Sequence, residues 1–367
     1  MVTLYKQISK FVVAPVLLGF LLVPVSIADP GRAEQQKIVI NAYVDGYVLP
    51  AYQSFVEETK QLTKKLKMLC EDRQEERLVD VQMAFTSSVL GWSRVLPVRF
   101  GPIRLHNRME RVFFWPDTKS RVSKHTSRLL QEFEGKDIDF THRSIAAQGL
   151  PALEYLLYSS ISRNLLDAEK PNCGVAVSIS KNIYRIATDI LAEWNGDDGY
   201  RAVVLSPGPE NQTYRTADEA LAEILKSTSE ILQLIASSML NSSLQGSPDD
   251  AKAKRAPFWR SDLTLQSLQV TLGTVKTFVL EAHFSSLMKK EDQGLGKNLI
   301  FELDQALGVF SDIHLKNTSW VELVKTPEGH AQLTYLTNPV LGAHNLLAEE
   351  ISQAMGINVG FNSLDGD

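Results

Sequence analysis

The stretch "YVLPAYQSFVEETKQLTKKLKMLC", residues 47–70, decides the fold class. Phe55, Leu62, Leu66 and Leu69 recur at three-, four- and seven-residue spacings, with lysines, glutamates and glutamines between them. That pattern places one apolar stripe along an α-helix and leaves the opposite face charged. The next segment, "ERLVDVQMAFTSSVLGWSRV" (76–95), repeats it with Leu78, Val81, Phe85, Val89 and Trp92. Further on, "SRLLQEF", "ALEYLLYSSI" and "ISKNIYRIATDILAEW" keep the same period.

The character changes after Trp194, where "NGDDGYRAVVLSPGPENQTY" is rich in Gly, Pro, Asp and Asn and shows no helical period. Periodicity resumes at Ala217 with "ADEALAEILKSTSEILQLIASSML". After the polar stretch "NSSLQGSPDDAKAKRAP" come three more periodic segments, "LTLQSLQVTLGTVKTFVLEAHF", "LGKNLIFELDQALGVFSDI" and "LGAHNLLAEEISQAMGI". Alternating runs are short, as in "KIVINAYV". The expected fold is therefore all-α. Two helical bundles, residues 34–200 and 216–367, are expected to flank a cleft, with their boundary near 196–216.

The 367 residues are enough for about two domains, and 44 % hydrophobic with 22 % charged residues is ordinary for a globular chain. A net charge of −5 without a basic cluster argues against a nucleic-acid partner. Residues 1–28 read as a signal peptide. Lys6 and Lys10 precede an apolar run from Phe11 to Val25, and Ser26-Ile27-Ala28 closes it as a small-x-small cleavage site. A membrane span is the rival reading; the run is shorter than the roughly 20 residues a span needs, and it contains Pro15 and Pro24. The mature chain is then expected to start near Asp29, to be periplasmic and not to span the membrane. In such an oxidising compartment Cys70 and Cys173 either form one disulfide or stay as two buried thiols.

One stretch resists helix assignment. "LPVRFGPIRLHNRMERVFFWPDTKSR" (96–121) is broken by Pro97, Gly101, Pro102 and Pro116. It gathers Arg99, Arg104, Arg108 and Arg111 with Phe100, Phe113, Phe114 and Trp115. It is either an ordered loop carrying a site at the cleft, with Arg99, Arg104 and Trp115 as binding residues, or a set of aromatics packed beneath a basic surface.

"RFGPI", "FFWPD" and "GLPALEYLL", followed at the chain end by "GFNSLDGD", resemble the imelysin-like proteins. More closely, they look like that family's branch of predicted periplasmic proteins and lipoproteins. The resemblance extends from about Asn41 to Asp367. It implies a two-domain, all-helical, exported protein with a link to iron uptake, in a family first classed as metallopeptidases. That classification leans on a Gly-x-His-x-x-Glu motif. Here Gly149 and Glu154 are in place and Pro151 stands where the His would be. A proline side chain carries no donor or acceptor, so the His–Glu pair that would share a metal cannot form.

The residues offer no other hydrolytic set. A zinc peptidase needs about three protein ligands and an open position for water. There is no His-Glu-x-x-His, and His106, His125, His142, His283, His314, His330 and His344 include no pair three or four apart. Gly-x-Ser-x-Gly is also absent. A metallopeptidase is thus the weaker reading, and two non-catalytic readings lead. One is an accessory or binding protein for iron or another hard cation. Its oxygen ligands would come from Glu154, Asp117 and the tail residues Asn362, Asp365 and Asp367. The other is an adaptor for an envelope protein partner, without metal. Asp117 reads equally as a helix cap, and the tail as a solvated terminus. Glu154, set among Leu153, Leu156 and Leu157, is expected to be partly buried and paired with Arg99, Arg104 or Arg143, or bonded to a Tyr.

Overall fold

The computed structural model describes residues 30–314 and 318–358. The signal-peptide segment and Asn362, Asp365 and Asp367 lie outside the described residues. Among those described, every regular element is helical and there is no strand.

Helix α1 (Pro30–Tyr43) passes through a π-turn (Val44–Val48) into α2 (Leu49–Glu71). The short "KIVINAYV" alternation is therefore helical. Val39, Ile40, Tyr43 and Val44 fall on one buried face, which packs onto the C-terminal half of the chain. Helix α2 packs against α3 (Glu75–Val95) and against α6 (Asn172–Asn195). Phe55, Leu62, Leu66 and Leu69 are fully buried, as the stripe required.

Between α3 and α6 lie α4 (Arg121–Gln131) and α5 (Leu150–Tyr158). The Gly- and Pro-rich stretch after Trp194 is not wholly irregular: Tyr200–Leu205 forms a short helix. Its Tyr200 ring meets buried Trp194 edge-on, with centroids 5.1 Å apart, so tertiary packing supplies what local propensity lacks.

The second half comprises α7 (Ala217–Gln233), α8 (Thr264–Ala282), α9 (Gly294–His314) and α10 (Pro327–Asn345). Helix starts carry explicit signals. Thr216 accepts from the Glu219 amide, and Thr326 accepts from Gly329 N with Pro327 beside it. Helix α8 packs on α9 and, across the halves, on α3; α10 packs on α9 and α7; α1 packs on α7 and α8. The buried apolar side chains form one continuous core from Val39 to Ile357.

Cys70, at the end of α2, and Cys173, at the start of α6, are disulfide-bonded with Cα atoms 5.7 Å apart. The alternative of two free thiols falls. None of the described helices is long and apolar enough to cross a membrane.

Candidate functional site

The Gly149-x-Pro151-x-x-Glu154 segment forms the start of α5 and lines a cavity of about 420 Å³. Helix α5 begins at Leu150, so Pro151 occupies its second position and Glu154 its fifth. Glu154 lies beyond the first turn, where the helix dipole helps least, and it needs other partners.

Gly149 is required for a steric reason. A Cβ there would lie 2.2 Å from the Val112 carbonyl oxygen and 2.5 Å from that of Arg111. Those are backbone atoms and cannot swing aside. Gly149→Ala is expected to destabilise the fold by about 2 kcal/mol or more. Chemical denaturation checks this, and an unchanged midpoint would contradict the close approach.

Glu154 is 2 % exposed. Its Oε1 accepts three hydrogen bonds, from Arg260 N at 3.0 Å, Ser261 N at 3.0 Å and Ser261 Oγ at 2.9 Å. Its Oε2 lies 3.7 Å from the Arg260 guanidinium. Burial pushes the carboxyl above the usual Glu range, while the Ser261 amide and hydroxyl, the Arg260 charge and the Arg260 amide pull it down. Arg260 is held in turn by aromatic faces, with its guanidinium 4.5 Å from the Trp259 centroid and 5.7 Å from that of Tyr155.

Glu154 thus pins the loop at 253–263 to the first half of the chain. The far side of that loop is anchored independently. Asp262 Oδ1 accepts from Trp320 N at 2.7 Å, and Trp320 Nε1 donates to Ala253 O at 2.9 Å. Phe258 and Asp262 both adopt left-handed backbone, with φ of 54° and 59°. A loop so fixed presents its amides to one carboxylate without rearrangement.

The aromatic stretch meets the same loop. Trp115 Nε1 donates to Arg255 O at 2.9 Å, and Phe113 stacks on Phe258 with centroids 5.2 Å apart. Trp115 and Asp117 line the Glu154 cavity. Asp117 acts on the N-terminus of α4: its Oδ1 accepts from Arg121 N at 2.7 Å and its Oδ2 from Val122 N at 2.9 Å. The helix-cap reading of Asp117 describes these contacts.

The expected basic partners of Glu154 do not reach it. Arg99 is half-buried against α7, pairs with Glu230 at 3.4 Å, and donates from its amide to Ser227 Oγ at 2.8 Å. Arg104 is exposed and lines a different cavity with Arg99 and Tyr200. Arg143 pairs with Glu132. The true partner, Arg260, sits 106 residues downstream. The segment "APFWRSD" shares aromatic, Pro and Asp content with "FFWPD", but nothing local in it marks Arg260 as the partner of Glu154.

The motif residues do not fit a resident metal ion. Pro151 offers no ligand atom, and Glu154 Oε1 already takes three donors. No group of three or more His, Cys, Asp or Glu side chains placed to hold a metal occurs among the described residues.

The sequence model of the imelysin family, a peptidase family by its label, matches residues 48–347. The chain belongs to the imelysin family. As an imelysin-family protein it is 21 % identical over 214 residues to iron-regulated protein A of Synechococcus elongatus, a match covering 58 % of this chain and 56 % of that protein. The chain thus spans little more than half the length of that curated relative. It superposes on an imelysin-like protein from Psychrobacter arcticum with a TM-score of 0.74, at 16 % identity, over 90 % of this chain and 98 % of the other. A candidate iron-regulated protein A precursor from Parabacteroides distasonis gives 0.69 at 12 % identity, over 88 % and 95 %. At these identities the structural likenesses establish the shared helical fold.

Proposed function

We propose that this imelysin-family protein is an exported, non-catalytic accessory of iron or metal uptake in the periplasm, with iron as cargo rather than resident cofactor. The observation that carries the reading is the state of the motif. Pro151 removes the nitrogen ligand, and Glu154 is committed to the 253–263 loop. What remains at that place is a cavity walled by Trp115, Trp259, Lys254 and Arg260, suited to contact rather than to metal-assisted hydrolysis. The name of the Synechococcus relative supports the link to iron. The two bundles are taken as 34–200 and 216–367, and export rests on the leader-like residues 1–28.

The test is elemental analysis of the chain purified from its native envelope and desalted, beside a pull-down from the same extract. Iron retained through desalting is the expected result. A metal-free chain that brings down an envelope protein would overturn the cargo reading in favour of an adaptor. A chain recovered only from the cytoplasm would overturn export.

A further inference from the structure

A second cavity, of about 610 Å³, shares no lining residue with the Glu154 cavity. Its walls are the segment Asp137–Gln148, one face of α6 carrying Ser178, Asn182 and Arg185, and Arg111 from the short helix Arg108–Val112. His106 and Asn107 stand at its edge with φ of 55° and 54°, two successive non-glycine residues in left-handed backbone. Such backbone is costly and persists where the surroundings hold it.

Of the Lys and Arg side chains that line this cavity, Arg111 alone has no carboxylate partner among the described residues. Lys181 bonds Asp137 at 2.7 Å, Arg185 bonds Asp189 at 2.8 Å, and Arg143 pairs with Glu132. Behind the wall, Arg108 grips both oxygens of Glu193 at 2.6 and 2.5 Å. Asp139 accepts from Thr141 N and Oγ1. Arg111 has no carboxylate within ion-pair distance among the described residues. Its Nε donates to Gln148 Oε1 at 2.9 Å. Gln148 is 1 % exposed, and its Nε2 donates to Phe140 O and Arg143 O, so its oxygen is fixed toward Arg111. The guanidinium is therefore oriented from behind, with N–H groups left over for a ligand. Burial, then the Arg185 and Arg108 charges, lower it from its ordinary value, a repulsion that an incoming anion relieves.

We propose that this cavity binds a small polyanion through carboxylate or phosphate oxygens, with Arg111 as the forked anchor and Arg185 as the second cation. A guanidinium fork matches two oxygens of either group. The volume exceeds what a single inorganic phosphate fills and suits an anion with several charged groups.

Calorimetric titration of the mature chain with citrate and, separately, with inorganic pyrophosphate tests this at low and high salt. At least one probe is expected to bind, more weakly as salt rises. Heat with citrate alone assigns carboxylate chemistry, and heat with pyrophosphate alone assigns phosphate chemistry. Arg111→Gln is expected to weaken binding about tenfold or more. Arg185→Gln, at an exposed position, is expected to weaken it less and to spare folding. Arg201→Gln, which removes a partner of Asp45 on another surface, should leave it unchanged. Silence with both probes overturns the proposal. So does an Arg111→Gln chain that binds as tightly as the parent. If that variant fails to fold, undiminished binding by Arg185→Gln overturns it instead.

Discussion

Replacing Cys70 and Cys173 together by alanine is expected to cost about 3–5 kcal/mol of stability. The bond closes a loop with a sequence separation of 103. In the chain-entropy account, a loop of that order restrains the unfolded chain by about 4–5 kcal/mol, and measured losses on removing native bridges run from about 2 to 5. In the folded chain the bridge ties the end of α2 to the start of α6, two helices that pack along their length. Urea denaturation of the oxidised parent and the double variant measures it. The variant should show an earlier midpoint and a steeper slope, because its unfolded state exposes more surface. A loss below about 1 kcal/mol would mean that the bridge staples helices already fixed by their core.

Glu154→Ala is expected to cost about 3 kcal/mol. The substitution leaves two backbone amides, of Arg260 and Ser261, without their acceptor in a buried place, and removes the counter-charge from Arg260. Glu154→Gln keeps an acceptor oxygen and should stay within about 1.5 kcal/mol of the parent. The two variants separate through pH as well. The folded carboxyl is raised, with burial as the leading cause. Folding therefore binds this proton more tightly than the unfolded chain does. The associated stability is present below the unfolded Glu value and is lost as pH rises through the raised folded value. Relative to Glu154→Gln, the parent should lose stability across that window. A flat difference would show that the three donors on Oε1 cancel the effect of burial, and a parent that gains stability as pH rises would show that they outweigh it.

The two expectations meet in the 253–263 loop. Loss of the Glu154 contacts frees one side of it, while Asp262 and Trp320 still hold the other. Protease sensitivity of Glu154→Ala should therefore rise first at this loop and not in α2 or α6.

The sequence by itself determined the helices, their principal breaks and the chemistry that the motif lacks. Periodicity is written over a few turns, so Phe55, Leu62, Leu66 and Leu69 identify a buried face without knowing what covers it. Pro151 excludes a ligand by its covalent structure, whatever surrounds it. Two cysteines in a chain with a leader-like start had one simple pairing, and the structure has it. The tertiary structure alone decided what Glu154 touches. Arg99, Arg104 and Arg143 are nearer in sequence, yet Glu230, a separate cavity and Glu132 claim them. Arg260 and Ser261 arrive because the short helices Asn241–Leu244 and Trp320–Leu323 hold a loop that no local pattern marks as a partner. The same holds for the helical state of "KIVINAYV", settled by its packing on α7 and α8. A side chain's partner depends on how all the elements pack, because each contact is made across a long chain separation; helix periodicity depends only on neighbours within the turn.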